Sequence, residues 1–370
     1  MLEVVDLSAR AGGFVLGKVS LTVQPSSCHV ILGPTGSGKT LLLESVIGLR
    51  KPQEGKVILE GNEITGLPIE RRGLSYVPQD LALFPHMTVR ENILYPVRMR
   101  GGTQDIENGI VRELVDSLGI RHLLDRSVRN LSGGERQRTA LARAMASGCT
   151  YLVLDEPLSA LHESLKKELW YLLKDLQRRY DLAVLMVTHD LEEAFFLGDT
   201  VSVVLEGRVR RQGTKEDVYE HPASVEVARF LGIRNLFHVE KEGGTGDSPL
   251  VYCQDLRTTL KLSPHAGKWN PTSTSSFAVG IRSENVAILM PGELTSETHN
   301  VIEGTIEDTY ASGALVTLMA TGRGSSTSVE AALPRSMARR FALAKGHRVL
   351  LHLPEESLFV IDPDSREDLS

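Results

Sequence analysis

Cysteine is scarce in this chain. Cys28, Cys149 and Cys253 are widely separated and odd in number. They form neither a disulfide framework nor a zinc-ligand spacing, so a reducing cytosol is the default compartment. Long apolar runs are missing too: no uninterrupted stretch approaches the ~20 residues that span a bilayer. The opening Met1-Leu2-Glu3, with Asp6 close behind, has no basic region before an apolar one and does not read as a signal peptide. Nor is there an excess of positive charge, since 41 Lys and Arg stand against 47 Asp and Glu, a formal net charge of −6. Broad nucleic-acid binding rests on phosphate neutralisation and is not expected of such a chain. What remains is ordinary for a folded protein. With 370 residues, 41% hydrophobic, and a mean hydropathy of −0.08, there is material for about two or three domains with sizeable cores.

The first two-thirds alternates short β-branched runs with helical patterns. His29–Leu32, Tyr151–Leu154, Ala183–Val187 and Val201–Leu205 are apolar on both faces, as strands of a parallel sheet covered by helices are. Between them, Asp105 to Leu118 puts Ile106, Ile110, Leu114 and Leu118 on one helical face and stops at Gly119. Thr88-Val89-Arg90-Glu91 reads as a capping box opening another helix. Around residue 235 the character changes. Lys241–Asp247 is turn-rich, and short alternating segments follow at Ala314–Leu318, Arg348–Leu353 and Leu358–Ile361, which read as strands. Ser336–Leu343 reads as helix and Thr321–Ser328 as an exposed hairpin loop; the strands point to one small β-barrel or a pair, with Ile302–Ile306 beginning the second unit of such a pair. The expected organisation is an α/β domain over 1–235, with a helical subdomain at about 86–147, and a β-rich domain over 236–370.

Gly33-Pro34-Thr35-Gly36-Ser37-Gly38-Lys39-Thr40 is a G-x-x-x-x-G-K-T phosphate loop between the strand at 29–32 and the apolar helix Leu41–Leu49. Its glycines let backbone N–H groups curl around a phosphate, and the helix N-terminus adds positive potential. Lys39 would reach the β- and γ-phosphates and the Thr40 hydroxyl a Mg²⁺ ion. With Gly at its average frequency, a chance match in a chain this long is on the order of one in a hundred. Tyr151-Leu152-Val153-Leu154-Asp155-Glu156 is a buried-type strand ending in two carboxylates. Asp155 could hold Mg²⁺ beside the loop, and Glu156, pointing elsewhere, could polarise an attacking water as general base. Alone, such an acidic pair is more often a solvated turn; after the phosphate loop the functional reading is favoured.

Leu131-Ser132-Gly133-Gly134-Glu135-Arg136-Gln137-Arg138 combines an S-x-x-E capping box with two glycines at a helix start. It matches the LSGGxxQR signature of the ATP-binding cassette (ABC) ATPases, which this chain resembles. The resemblance implies an α/β P-loop nucleoside-triphosphatase fold with a helical subdomain, ATP and Mg²⁺ as cofactors, and a homodimer. In that dimer Ser132, Gly133, Gly134 and Gln137 close over the ATP held by the other copy. It also makes Gln79, in Tyr76–Asp80, a contact to Mg²⁺ and water, and His189, in Val187–Asp190, the switch histidine at the γ-phosphate. Two departures stand out. His162, in Ser159-Ala160-Leu161-His162, occupies a position where the family usually has Asp, which bears on communication between the two ATP sites. The adenine-stacking aromatic is replaced by Ala11; Phe14, the nearest aromatic, is a stacking candidate or a core residue sharing a strand face with Leu16.

Leu83–Ile93 and the about fifty residues between Gln79 and Leu131 resemble importer ATPases rather than chromosome-maintenance cassette proteins with a long coiled-coil insert. Gly213–Asn235 matches the end of the importer domain. The region beyond is similar to the all-β, oligonucleotide-fold-like (TOBE/MOP-type) regulatory domains of oxyanion, polyamine and ferric-iron importers. His299-Asn300, Glu303–Thr305 and Ser312–Val316 lean toward the molybdate/tungstate type. Pro334, Met337 and Pro354 stand where oxyanion contacts are usual, and Arg335, Arg339 and Arg340 are an anion site or, more often for such runs, a solvated helix face. The implied partners are a second copy, a separate transmembrane permease and, indirectly, a solute-binding protein, with the chain peripheral on the cytoplasmic face of the membrane. Polyamine and ferric-iron import remain alternatives. A soluble cassette ATPase acting on nucleic acid or the ribosome is the reading from another class.

Overall fold

The structure, a computed structural model, describes residues 1–101, 109–245, 248–264, 266, 276–289, 294 and 298–361. Met1–Glu216 makes one compact unit, and a second begins at Asp217.

In chain order the first unit contains β1 (Leu2–Ala11), β2 (Phe14–Val23), β3 (Cys28–Leu32), α1 (Lys39–Ile47), β4 (Glu54–Leu59), β5 (Asn62–Glu63), β6 (Leu74–Val77), α2 (Val89–Met99), α3 (Gly109–Ser117), α4 (Gly133–Met145), β7 (Tyr151–Asp155), α5 (Glu163–Arg179), β8 (Ala183–Thr188), α6 (Leu191–Leu197), β9 (Thr200–Leu205) and β10 (Arg208–Thr214). β2-β1-β4-β5 form an antiparallel sheet. In β2, Leu16, Val19, Leu21 and Val23 are buried while Val15 and Lys18 are exposed, the alternation of a sheet with one wet face. The second sheet has the order β10-β9-β3-β8-β7-β6, parallel except for the β10 edge. Every residue of β3, β7 and β8 is buried, as the unbroken apolar runs predict. Because β3, β8 and β7 are neighbours, with Leu32 opposite Thr188 and Asp155 opposite Val187, their carboxyl ends bring three loops together. Crevices at such ends are where open α/β sheets bind ligands.

Thr88 and Ser132 each close the reciprocal capping box expected at the starts of α2 and α4. Helix α3 buries Val111, Leu114, Val115 and Leu118. This i, i+3, i+4, i+7 stripe is rotated from the expected one: Ile110 is half-buried, and Ile106 lies outside the described residues. No helix among the described residues is long and apolar enough to cross a membrane.

Helix α7 (Lys215–Glu220) runs across the division between the units, and the second unit continues with α8 (Val225–Phe230). Its strands begin with β11 (Asn235–Thr245) and run through β12 (Ser248–Cys253), β13 (Thr258–Lys261), β14 (Ser276–Ile281), β15 (Ala287–Leu289), β16 (Val301–Ser312), β17 (Leu315–Gly322), β18 (Ser328–Pro334), β19 (Arg348–His352) and β20 (Phe359–Ile361), with helix α9 (Arg335–Arg340) between β18 and β19. The Arg282 guanidinium lies 3.4 Å from the Tyr219 ring centroid and donates to the Tyr219 carbonyl at 2.7 and 3.2 Å, fastening the end of α7 to these strands. Two antiparallel five-stranded sheets, β13-β12-β11-β14-β20 and β15-β19-β16-β17-β18, share one apolar core that includes Phe237, Val251, Leu318, Ala331 and Leu351. This is the OB-like all-β domain. The hairpin loop expected at 321–328 joins β17 to β18. Arg335, Arg339 and Arg340 are exposed on α9, a solvated face.

Candidate functional site

The phosphate loop turns sharply because only glycine fits at its two ends. A Cβ on Gly33 would lie 2.2 Å from the Val204 carbonyl oxygen, a backbone atom that cannot swing aside. Gly38 has φ +98°, and a Cβ there would meet the Phe14 ring at 2.7 Å. The loop therefore rests on β9 and β2 while Pro34, Thr35 and Gly36 stay exposed. Lys39, the first residue of α1, is 4% exposed. Its ammonium donates to the Gly33 and Pro34 carbonyls at 2.8 Å each and lies 3.9 Å from Glu156 Oε1. Burial lowers the Lys39 pKa against the opposing pull of Glu156 and Asp155.

At the end of β7, Asp155 Oδ1 accepts from the Thr40 hydroxyl and Oδ2 from the Tyr76 hydroxyl, both at 3.4 Å. Burial and the neighbouring Glu156 raise the Asp155 pKa, and the two hydroxyls oppose them. Glu156 has φ 43°, a left-handed conformation unusual for a side-chain-bearing residue. Its N–H donates to the Val187 carbonyl at 3.0 Å. The turn separates the two carboxylates: Asp155 faces Thr40 and Tyr76, whereas Glu156 Oε2 lies 3.1 Å from His189 Nδ1 and 3.4 Å from Gln79 Nε2. Strained residues of this kind persist where the surroundings over-determine them, often at functional sites.

Ala11, Phe14, Thr35, Gly36, Gly38, Lys39, Thr40, Gln79, Glu156 and His189, with Leu41, Ser159 and Ala160, line one groove of about 770 Å³. Gln79, Lys39, Thr40, Glu156 and His189, chosen from sequence, thus converge, with Asp155 beneath them. Phe14 is half-buried, packs against the core of the first unit and presses its ring on Gly38 while also edging the groove, so both readings of it have a geometric basis. Ser132, Gly133, Gly134 and Gln137 are not among the groove-lining residues. Ser132 is exposed at the start of α4, and Gln137 Nε2 is buried with no hydrogen-bond partner.

The donor set suits a triphosphate with a hard cation. Ser37 Oγ is buried without a hydrogen-bond partner, and the loop N–H groups and Lys39 supply positive charge. Thr40 and Asp155 are oxygen donors of the type Mg²⁺ takes together with phosphate oxygens. Among the described residues no cluster of three or more His, Cys, Asp and Glu could hold a metal by itself.

Sequence reading missed the layer behind the site. The Tyr76 hydroxyl on Asp155 and the Thr188–Asp190–Glu193 cluster around His189 belong to it. Asp190 accepts from the Glu193 N–H at 3.2 Å and caps α6; an acidic residue right after a strand was the available signal.

A family model described as "ABC transporter" matches residues 16–159. The chain is 40% identical over 318 residues to the molybdate/tungstate import ATP-binding protein WtpC of Pyrococcus horikoshii, covering 86% of this chain and 88% of that protein. It is 49% identical over 233 residues to the protein of the same name from Archaeoglobus fulgidus, covering 63% of this chain and 95% of that one. The Fe(3+) ions import ATP-binding protein FbpC of Streptomyces avermitilis is 41% identical over 250 residues, 67% of this chain and 72% of that protein. In fold, the crystal structure of the ADP conformation of an ATP-binding cassette of an ABC transporter superposes with a TM-score of 0.54 at 24% identity, over 62% of this chain and 97% of that one.

Proposed function

Since the chain belongs to the ABC transporter family as an importer ATP-binding subunit, we propose that it hydrolyses Mg²⁺-ATP in the groove between the phosphate loop, Asp155–Glu156 and His189, and so drives uptake of an oxyanion such as molybdate or tungstate. The observation that carries the catalytic assignment is the Glu156 carboxylate held between His189, Gln79 and Lys39. Lys39 and the loop N–H groups hold the β- and γ-phosphates. Thr40, Asp155 and Gln79 would hold Mg²⁺, which when bound neutralises charge on the phosphate oxygens. Glu156 takes the proton of the attacking water, and His189 and Gln79 fix that carboxylate and the γ-phosphate end of the groove.

An importer ATP-binding subunit works with permease partners. The finer assembly is part of the proposal: two copies close with the exposed Ser132 turn of each over the other's ATP, the pair sits peripherally at the cytoplasmic face through the permease, and a solute-binding protein delivers the anion. The oxyanion assignment is supported by the relatives named for molybdate and tungstate. A 318-residue match is longer than the first unit and must extend into the second. Ferric-iron and polyamine import are the alternatives, on the strength of relatives so named.

Glu156→Gln should keep ATP binding and lower turnover by about 10²–10⁴, trapping an ATP-dependent dimer visible by size measurement; EDTA should abolish turnover. Turnover equal to wild type removes Glu156 from its role. A monomer with and without ATP, at full activity per chain, removes the shared site. In membranes containing the permease and binding protein, molybdate or tungstate should stimulate ATP turnover; stimulation by ferric iron or spermidine alone reassigns the solute.

A further inference from the structure

His189 has little holding its ring. Its side chain is 46% exposed, with Glu156 Oε2 at 3.1 Å, so the placement of the imidazole depends on the backbone at 188–190. That backbone is held on both sides. The Thr188 hydroxyl donates to the buried Glu193 carboxylate and accepts from the Asp190 N–H at 3.0 Å. Asp190 caps α6 and also receives the Lys166 ammonium at 2.9 Å, in a pair only 15% and 22% exposed. Lys166 belongs to the first turn of α5 and lies 3.5 Å from Glu163 as well.

At the start of that turn the His162 carbonyl accepts from the Leu165 and Lys166 N–H groups at 2.9 and 3.0 Å, while the His162 side chain makes no capping bond. It follows directly on Ser159 and Ala160, which line the groove. The stretch around its start lies beside the signature turn: a Cβ added at Gly133 would lie 3.1 Å from the Leu161 side chain, just before the helix, and one added at Gly134 4.0 Å from Leu165 within it. Lys166 is thus the charged link between a segment bordering both the groove and the Ser132 turn, and the backbone of His189.

We propose that Lys166 is a positioning residue: by holding Asp190 it keeps His189 on Glu156, and it carries any shift of the 159–162 segment to that histidine. This rests on the reading of Glu156 and His189 as the hydrolytic pair. The ion pair is shielded enough to hold a geometry, unlike an exposed pair, and small misplacements of reacting groups are costly.

The test uses the full chain. Lys166→Met should lower the kcat for ATP about tenfold with KM changed less than twofold, Lys166→Arg should restore most of it, and Asp190→Asn, which keeps a capping side chain, should reproduce the loss. The decisive measurement is Lys166→Met in a His189→Ala background, where it should cost nothing further, because residues acting as a unit are non-additive. A multiplicative loss in the double variant, or wild-type kcat in Lys166→Met, overturns the proposal while leaving the site intact. Wild-type kcat in His189→Ala overturns the reading of the site itself. Thermal midpoints within a few degrees of wild type establish that the variants fold, and Asp190→Asn carries the comparison if Lys166→Met does not.

Discussion

Replacing Glu193 with Gln should change how stability responds to pH, by an amount set by burial. Glu193 is 3% exposed, accepts the Thr188 hydroxyl, and has a second oxygen with no hydrogen-bond partner. Burial pushes its carboxyl from the ordinary 4.5 up to about 7. Between those values the unfolded chain has released the proton and the folded chain still binds it. Folding is therefore disfavoured progressively as pH rises from 4.5 to 7, at up to about 1.4 kcal/mol per pH unit and ~3 kcal/mol in total. His29 has the opposite effect. It is buried between the Thr200 and Ser202 hydroxyls at 2.7 and 2.8 Å, and burial pulls it from 6.5 to about 4. Between those values the unfolded imidazole takes a proton that the folded one refuses, so stability is lost as pH falls. The two windows overlap and their slopes oppose, so the wild-type profile conceals both. Subtraction separates them. The unfolding free energy of Glu193→Gln minus that of wild type, from denaturant titrations at a series of pH values, should climb by ~3 kcal/mol between pH 4.5 and 7 and level off on either side. A difference that stays constant across that window refutes a buried carboxyl that remains protonated.

Arg72→Met should destabilise the first unit by about 2 kcal/mol or more in denaturant titration, because the guanidinium serves the Ser45 and Val46 carbonyls in buried hydrogen bonds and those of Thr65 and Leu67 in part-buried ones, and a buried acceptor left unpaired costs about 1–3 kcal/mol; a loss below about 1 kcal/mol would contradict this. Phe14→Ala should leave ATP affinity unchanged and lower the thermal midpoint, since its ring packs on Gly38, whereas Ala11→Tyr should tighten ATP binding about tenfold if Ala11 marks the base end of the groove, stacking being worth about 1–3 kcal/mol; weaker binding in Phe14→Ala would put its ring under the adenine.

Most of the residues that meet at the groove could be picked out in the sequence because the patterns that carry them are local. A phosphate loop needs glycines and a lysine within eight positions, a capping box needs two residues three apart, and a fully buried parallel strand needs an unbroken apolar run. Those requirements act within a few residues, so Lys39, Asp155, Ser132 and the β3, β7 and β8 cores could be read directly. The antiparallel sheet of β1, β2, β4 and β5 was not foreseen, since its alternation is broken by bulges in β1 and β1 meets β4 only across tens of residues, with Leu2 opposite Leu59. Tertiary structure alone decided that Tyr76 reaches Asp155, that Arg72 closes the end of α1, that Phe14 lies under Gly38, and that Lys166 meets Asp190. Each of these joins residues between 5 and 79 positions apart. Most are polar groups driven together because burial leaves them no water to bond. Residue type along the chain can name a group that needs a partner; only the packing of the sheet and its helices selects which partner lies within reach.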